Sequence, residues 1–166
     1  MKELMVEFAN YNKWANQKIL EVAGQLNETQ LHQEIDSSFS SIFKTLLHLL
    51  DADSIWWQRM KLAEVVEVPG KTFTGNFEEL QQRILAQSND WFEWVLNATD
   101  NQLTHVFAYQ NTKQQQFKQP MHQVLLHLFN HSTYHRGQLI TMFHQLGLQK
   151  LPATDFIAWT RLFNKK

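Results

Sequence analysis

His131 and His135 stand four residues apart in the stretch Asn130-His131-Ser132-Thr133-Tyr134-His135-Arg136-Gly137-Gln138. On an α-helix that spacing stacks two imidazoles on one face, about 6 Å apart along the axis, so one nitrogen of each can converge on a single metal ion. A helical metalloprotease motif would place a glutamate directly after the first histidine as general base. This chain has Ser132 there, and that chemistry is not expected. The competing reading of the pair is two interior histidines satisfied by carboxyls, backbone or water. The chain has no cysteine, so any metal must be held by nitrogen and oxygen, and neither a disulfide nor a cysteine nucleophile is available.

One helix cannot complete such a site. His127 lies two turns from His135, about 12 Å along the axis, too far for all three rings to meet one ion. A further ligand must come from another segment, and His48 leads because it alone among the remaining histidines sits inside a strongly apolar helical run, between Leu46-Leu47 and Leu49-Leu50. His48 falls off the main stripe of that run, Ile42, Leu46, Leu49, Asp53 and Trp56, so helical phase alone does not select it. On its own helix the pair is better placed: Val124, Leu128, Leu139, Met142 and Leu146 trace one face with His131 and His135 near its centre. His127 is at the edge of that face, and His122 and His144 point away toward solvent. Asp51 and Asp53 follow His48 closely and read as solvent-facing acids, with proton transfer or ligand orientation as the functional alternative. Asn130 is a candidate support for a ligating ring. Arg136 and Gln138 read equally well as links between helices. The six tryptophans read as core or interface.

Four long helical segments must position these residues. Leu4, Phe8, Tyr11, Ala15 and Ile19 recur at helical steps up to a stop at Gly24. A second segment runs from about Ser41 to Leu62. Val68-Pro69-Gly70 and Thr74-Gly75 mark a loop, after which Asn76 followed by Glu79 reads as a capping box opening a third helix with Phe77, Leu80, Ile84, Trp91 and Val95 inward. Between Leu103 and Gln119 the helical period fails, and Val106-Phe107-Ala108-Tyr109 with Gln116-Phe117-Lys118 suggest a small hairpin. Pro120 suits the first turn of a fourth helix that stops at Gly147, and a short fifth helix is expected near Thr154-Asp155. The expectation is an all-α four-helix bundle with an extra C-terminal helix, forming one domain over residues 1–166.

Composition narrows the partners. The chain has 166 residues, with 15 basic side chains against 16 acidic ones and no basic stripe of the kind a phosphate backbone demands. Nucleic acid is not an expected partner. No apolar run approaches membrane-spanning length, and the acidic N-terminal residues do not resemble a secretory signal, which makes the cytoplasm the expected compartment.

The residues resemble the DinB/YfiT-like family of small helical-bundle metalloproteins. The resemblance runs through Tyr11-Asn12-Lys13-Trp14-Ala15-Asn16, Thr45-Leu46-Leu47-His48, the stretch from Asn130 to Gln138, and Thr154-Asp155-Phe156-Ile157-Ala158. It implies a bundle holding one divalent ion, zinc or nickel, with His48, His131 and His135 as ligands and a coordination position left open. It further implies an enzyme of the thiol S-transferase type, in which a low-molecular-weight thiol such as bacillithiol or mycothiol is added to a small-molecule electrophile. A metal-dependent hydrolase would use the same ligands, and a stress-associated bundle with a purely structural ion is the non-enzymatic alternative. The resemblance also suggests a homodimer. It assigns no catalytic residue beyond the metal ligands.

Overall fold

Ser41 and Asn76 start two of the long helices in the way their types suggest. Each side chain accepts a hydrogen bond from the backbone N–H three residues on, at Lys44 and Glu79. Only half of the expected box forms at Asn76, because the Glu79 carboxylate turns outward to Arg83 at 2.6 Å. The computed structural model describes residues 1–111 and 113–163. Its four long helices are α1 (Lys2–Ala23), α3 (Ile42–Met60), α4 (Phe77–Asn97) and α6 (Met121–Gln145). Two short helices, α2 (Glu28–His32) and α5 (Asp100–Thr104), a C-terminal α7 (Phe156–Phe163) and one antiparallel hairpin, β1 (Val106–Gln110) with β2 (Gln116–Pro120), complete the mainly helical fold. Gly147 closes α6 at φ +87°, a conformation that side chains disfavour.

Helices α1 and α3 each pack against both α4 and α6 and so occupy opposite corners of the bundle. One apolar cluster joins the end of α1 around Ile19 and Leu20 to the beginnings of α3 and α4 and the end of α6. A second joins Met5 and Ala9 to the ends of α3 and α4 and the beginning of α6. Membership of the two clusters sets the directions: α1 and α6 run one way, α3 and α4 the other. The link from α3 to α4 must therefore return along the length of the bundle. Gln58 holds it through two amide hydrogen bonds to the Glu67 backbone, each 2.8 Å, and Asp51 accepts from Gly70 N–H at 2.6 Å. A side chain at Gly70 would collide with that Asp51 carboxylate.

Between the apolar clusters lies a polar layer. The Arg136 guanidinium, 2 % exposed, donates to Asn12 Oδ1 at 2.6 Å and Asn16 Oδ1 at 2.7 Å, tying α6 to α1, and to Thr133 Oγ1 at 2.8 Å. Asn16 donates onward to Ser88 on α4. Next to Arg136, Gly137 interrupts the interior of α6, where glycine is about 1 kcal/mol less favourable than alanine. No helix of the described residues is long and apolar enough to cross a membrane.

Candidate metal centre

Because α3 and α6 are antiparallel neighbours, His48 on the flank of α3 meets His131 and His135 on α6. Nε2 of His131 lies 3.1 Å from Nε2 of His48 and 3.1 Å from Nε2 of His135. The three candidate ligand nitrogens all lie within 4.8 Å of one another. His135 is buried, and His48 and His131 are half-buried.

The donor set fits a metal ion. Imidazole nitrogens about 2.0–2.1 Å from an ion and roughly 90–110° apart would be separated by about 2.9–3.4 Å, the range in which the two short contacts fall. Protons alone satisfy the cluster poorly. Gln138 gives its amide NH2 to Ser38 Oγ and Tyr134 Oη, which turns Oε1 toward His135 Nδ1 at 2.7 Å. That assigns the His135 proton to Nδ1 and leaves a lone pair on its Nε2. His131 Nε2 can then share one proton with His48 or with His135 but cannot bridge both contacts. An ion accepts all three lone pairs at once.

The surroundings favour the ligating form of each ring. Burial, reinforced by the neighbouring imidazoles, lowers His48 and His131 to about 4. His135 is also lowered by burial, against the opposing effect of its Gln138 hydrogen bond. All three are neutral near pH 7, as coordination requires. His131 Nδ1 is buried without a partner among the described residues. The loop before α3 supplies cover: the Phe39 ring stacks on His48 with centroids 4.1 Å apart and lies 5.7 Å from His135.

Other candidates fall differently from their sequence expectation. Gln138, not Asn130, supports one of the three clustered rings, that of His135; Asn130 is exposed and lines a cleft on the other flank of α6. His122 does not project into solvent but is half-buried, with Nδ1 donating to the Leu103 carbonyl at 3.1 Å. His144 is exposed as expected, and His127 is an exposed neighbour whose ring lies 5.9 Å from that of His131 and 5.5 Å from Trp56. Neither aspartate is a simple surface acid. Asp51 is half-buried and pins the return link, and Asp53 is buried, its carboxyl pushed up to about 7 by desolvation against the opposing charge of Arg136. Phe39 and Ser38 were not apparent from the sequence, where they sit in a serine-rich loop with no periodic signal.

A family model described as DinB family matches residues 1–163. Protein DinB of Bacillus subtilis (strain 168) is 29% identical over 163 residues, covering 94% of this chain and 93% of that relative.

Proposed function

The chain belongs to the DinB family, and we propose that it is a divalent-metal-dependent thiol S-transferase in which His48, His131 and His135 hold the ion. The convergence of three imidazole Nε2 atoms carries the reading. Zinc or nickel suits a neutral all-imidazole set, and three protein ligands leave a position for a small molecule. A bound divalent ion would lower the pKa of a coordinated thiol or water, making an anionic nucleophile available near neutral pH. The thiol has to be a co-substrate, since the chain contains no cysteine. The protein's own contribution is positional: His48, His131 and His135 set charge and geometry, Gln138 fixes the tautomer of His135, and Phe39 shields one side of the cluster. A cytoplasmic homodimer acting on a small electrophile belongs to the same reading.

Metal content of protein purified without an affinity tag tests the centre, and about one ion per chain is expected. The metallated protein should then accelerate conjugation of one of bacillithiol, mycothiol, glutathione or coenzyme A to a generic electrophile. Thiol-independent ester cleavage would replace the transferase by a hydrolase. Loaded protein inert across both panels would leave the ion a structural role.

A further inference from the structure

His48 and His131 each begin a line of side chains that leads away from the histidine cluster in the same direction. On α3, Ala52 and Trp56 follow His48 at four-residue steps; on α6, which runs antiparallel, His127 and Gln123 precede His131 at the same steps. Trp56 therefore stands two turns from His48, about 12 Å along the axis, with only the methyl of Ala52 on the line between them. Ring contacts join the two lines: the centroid of His127 lies 5.9 Å from that of His131 and 5.5 Å from that of Trp56. Phe39 covers His48 and His135, whereas His131 has His127 as its neighbour on this side.

The hairpin adds the far wall. In its register Tyr109 pairs with Phe117 and Phe107 with Gln119, so these four side chains share one face, on which Gln119 alone is not aromatic. Trp56, Tyr109, Gln119, Gln123, Val124 and His127 line a pocket of about 320 Å³. That is the small end of the range for ligand sites, roughly 300–1,000 Å³, and suits a molecule of one or two rings. The Arg59 guanidinium lies 4.7 Å from the Trp56 centroid and 5.3 Å from that of Tyr109, and the two rings meet edge to face at 4.7 Å, so the aromatic walls are fixed before anything enters. Gln119 Oε1 is buried and has no donor among the described residues, and the Gln123 side chain makes no hydrogen bond among them. A buried acceptor left unmet is costly, and a ligand with an N–H or O–H group would relieve it. No carboxylate, lysine or arginine lines the pocket, so the complementary molecule is uncharged.

We propose that this pocket binds the body of a neutral, flat aromatic or heteroaromatic molecule, its ring against Trp56 and Tyr109 and its N–H or O–H donating to Gln119 Oε1. On the reading of the histidine cluster as a metal-dependent transferase centre, on which this part rests, that body belongs to the electrophile, and its reacting end points along the groove toward His131.

Indole and 1-methylindole, which share the flat body and differ in the N–H, titrated into full-length zinc-loaded protein and followed by backbone amide NMR, test it. Indole should shift Gln119, Gln123 and His127 together with the ring N–H of Trp56, and bind about fivefold tighter than 1-methylindole, the scale of one hydrogen bond. Gln119→Leu should bring the two to equal affinity, and Trp56→Ala should weaken both several-fold. His48→Ala, which removes the ion, should leave indole binding in place. In cobalt(II)-loaded protein the resonances of indole should broaden beyond their widths in zinc-loaded protein, which sets the ring beside the centre. No shifts at millimolar indole, equal affinities for the two molecules in wild type, a preference that survives Gln119→Leu, or cobalt-loaded protein that binds indole without broadening it would each overturn the proposal. Indole bound with its N–H preference by protein that takes up neither zinc nor cobalt would uphold the pocket and remove the transferase reading instead.

Discussion

Gln138 Oε1 lies 2.7 Å from His135 Nδ1, and this contact decides which nitrogen of the ring faces the other histidines. The same amide reaches Ser38 at 2.9 Å, so one side chain joins the cluster to the loop that covers it. Gln138→Ala should lower metal affinity by about 10–100-fold, the usual cost of losing an outer-shell partner, with the helical fold retained. Ser38→Ala should change affinity far less, because it leaves the contact to His135 in place. Chelator competition measures both, and equal affinities for Gln138→Ala and wild type would remove the orienting role.

Replacing His48, His131 or His135 by Ala should each abolish stoichiometric binding, while His127→Ala and His144→Ala keep it. His122→Ala should also retain the ion but lose about 1 kcal/mol of stability with its hydrogen bond to Leu103. At free metal about 100 times the dissociation constant, wild type should gain about 2.7 kcal/mol. That corresponds to a melting shift of roughly 5–11 °C for a domain of this size, absent in the three ligand variants.

Asp53 should make the protein less stable as pH rises. Its folded-state pKa is raised from 3.8 to about 7, so the folded state binds more protons across that interval, and the contribution present below 3.8 is lost as pH rises through about 7. His48 and His131 act in the opposite sense. Lowered from 6.5 to about 4, they contribute stability above 6.5 that is lost as pH falls toward 4. Asp53→Asn should therefore gain on wild type progressively between about pH 4 and pH 8 in chelator-treated protein. Denaturant unfolding at several pH values checks this, and a pH-independent difference between the two would contradict it.

Gly137→Ala should stabilise the chain by about 1 kcal/mol, since alanine is the better helix former and its methyl meets no neighbour. Thermal unfolding should show a rise of roughly 2–4 °C. A fall would mean that the site is more crowded than its open surroundings indicate.

The long helices were legible because each carries a sustained apolar period and a recognisable boundary, such as Ser41, Asn76, Pro120 or Gly147. Helices α2 and α5 escaped because five residues are too few to show a period, although their capping boxes, Asn27 with Gln30 and Thr99 with Gln102, were in plain view. The hairpin was legible because the helical period fails between Leu103 and Gln119, leaving two short runs on either side of a polar stretch. At the site, His131 and His135 could be paired by spacing within one helix. His48 could not be chosen by phase, because it lies on the flank of α3 that meets α6 and not on the main apolar stripe of that helix. Phe39 and Ser38 come from an irregular loop whose path depends on tertiary contacts, and the role of Gln138 depends on Ser38, 100 residues away. His122 was misjudged because a helical wheel does not contain the Leu103 carbonyl that it meets, and Asp53, although on the main apolar stripe of α3, was read as a solvent-facing acid from its residue type, without the α1–α6 polar layer beside it.

The bond from Arg136 to Asn12 spans 124 residues of sequence, and it is made between two apolar clusters, of which the one around Ile19 and Leu20 is built largely from aliphatic side chains. Such clusters discriminate weakly between a helix in its place and the same helix slipped by one turn, about 5.4 Å along the axis, since leucine meets leucine or isoleucine in either case. The guanidinium does not tolerate the slip: shifted by a turn it would stand between Asn16 and Leu20 or between Phe8 and Asn12, exchanging one of its two amide oxygens for an apolar side chain and leaving one asparagine without its donor. The polar layer thus acts as a key to axial alignment, lifting the near-degeneracy of the greasy contacts above and below it. Because the histidines sit at the same level of the bundle, the lock that aligns α1 with α6 also sets the height at which α6 offers its imidazoles to α3.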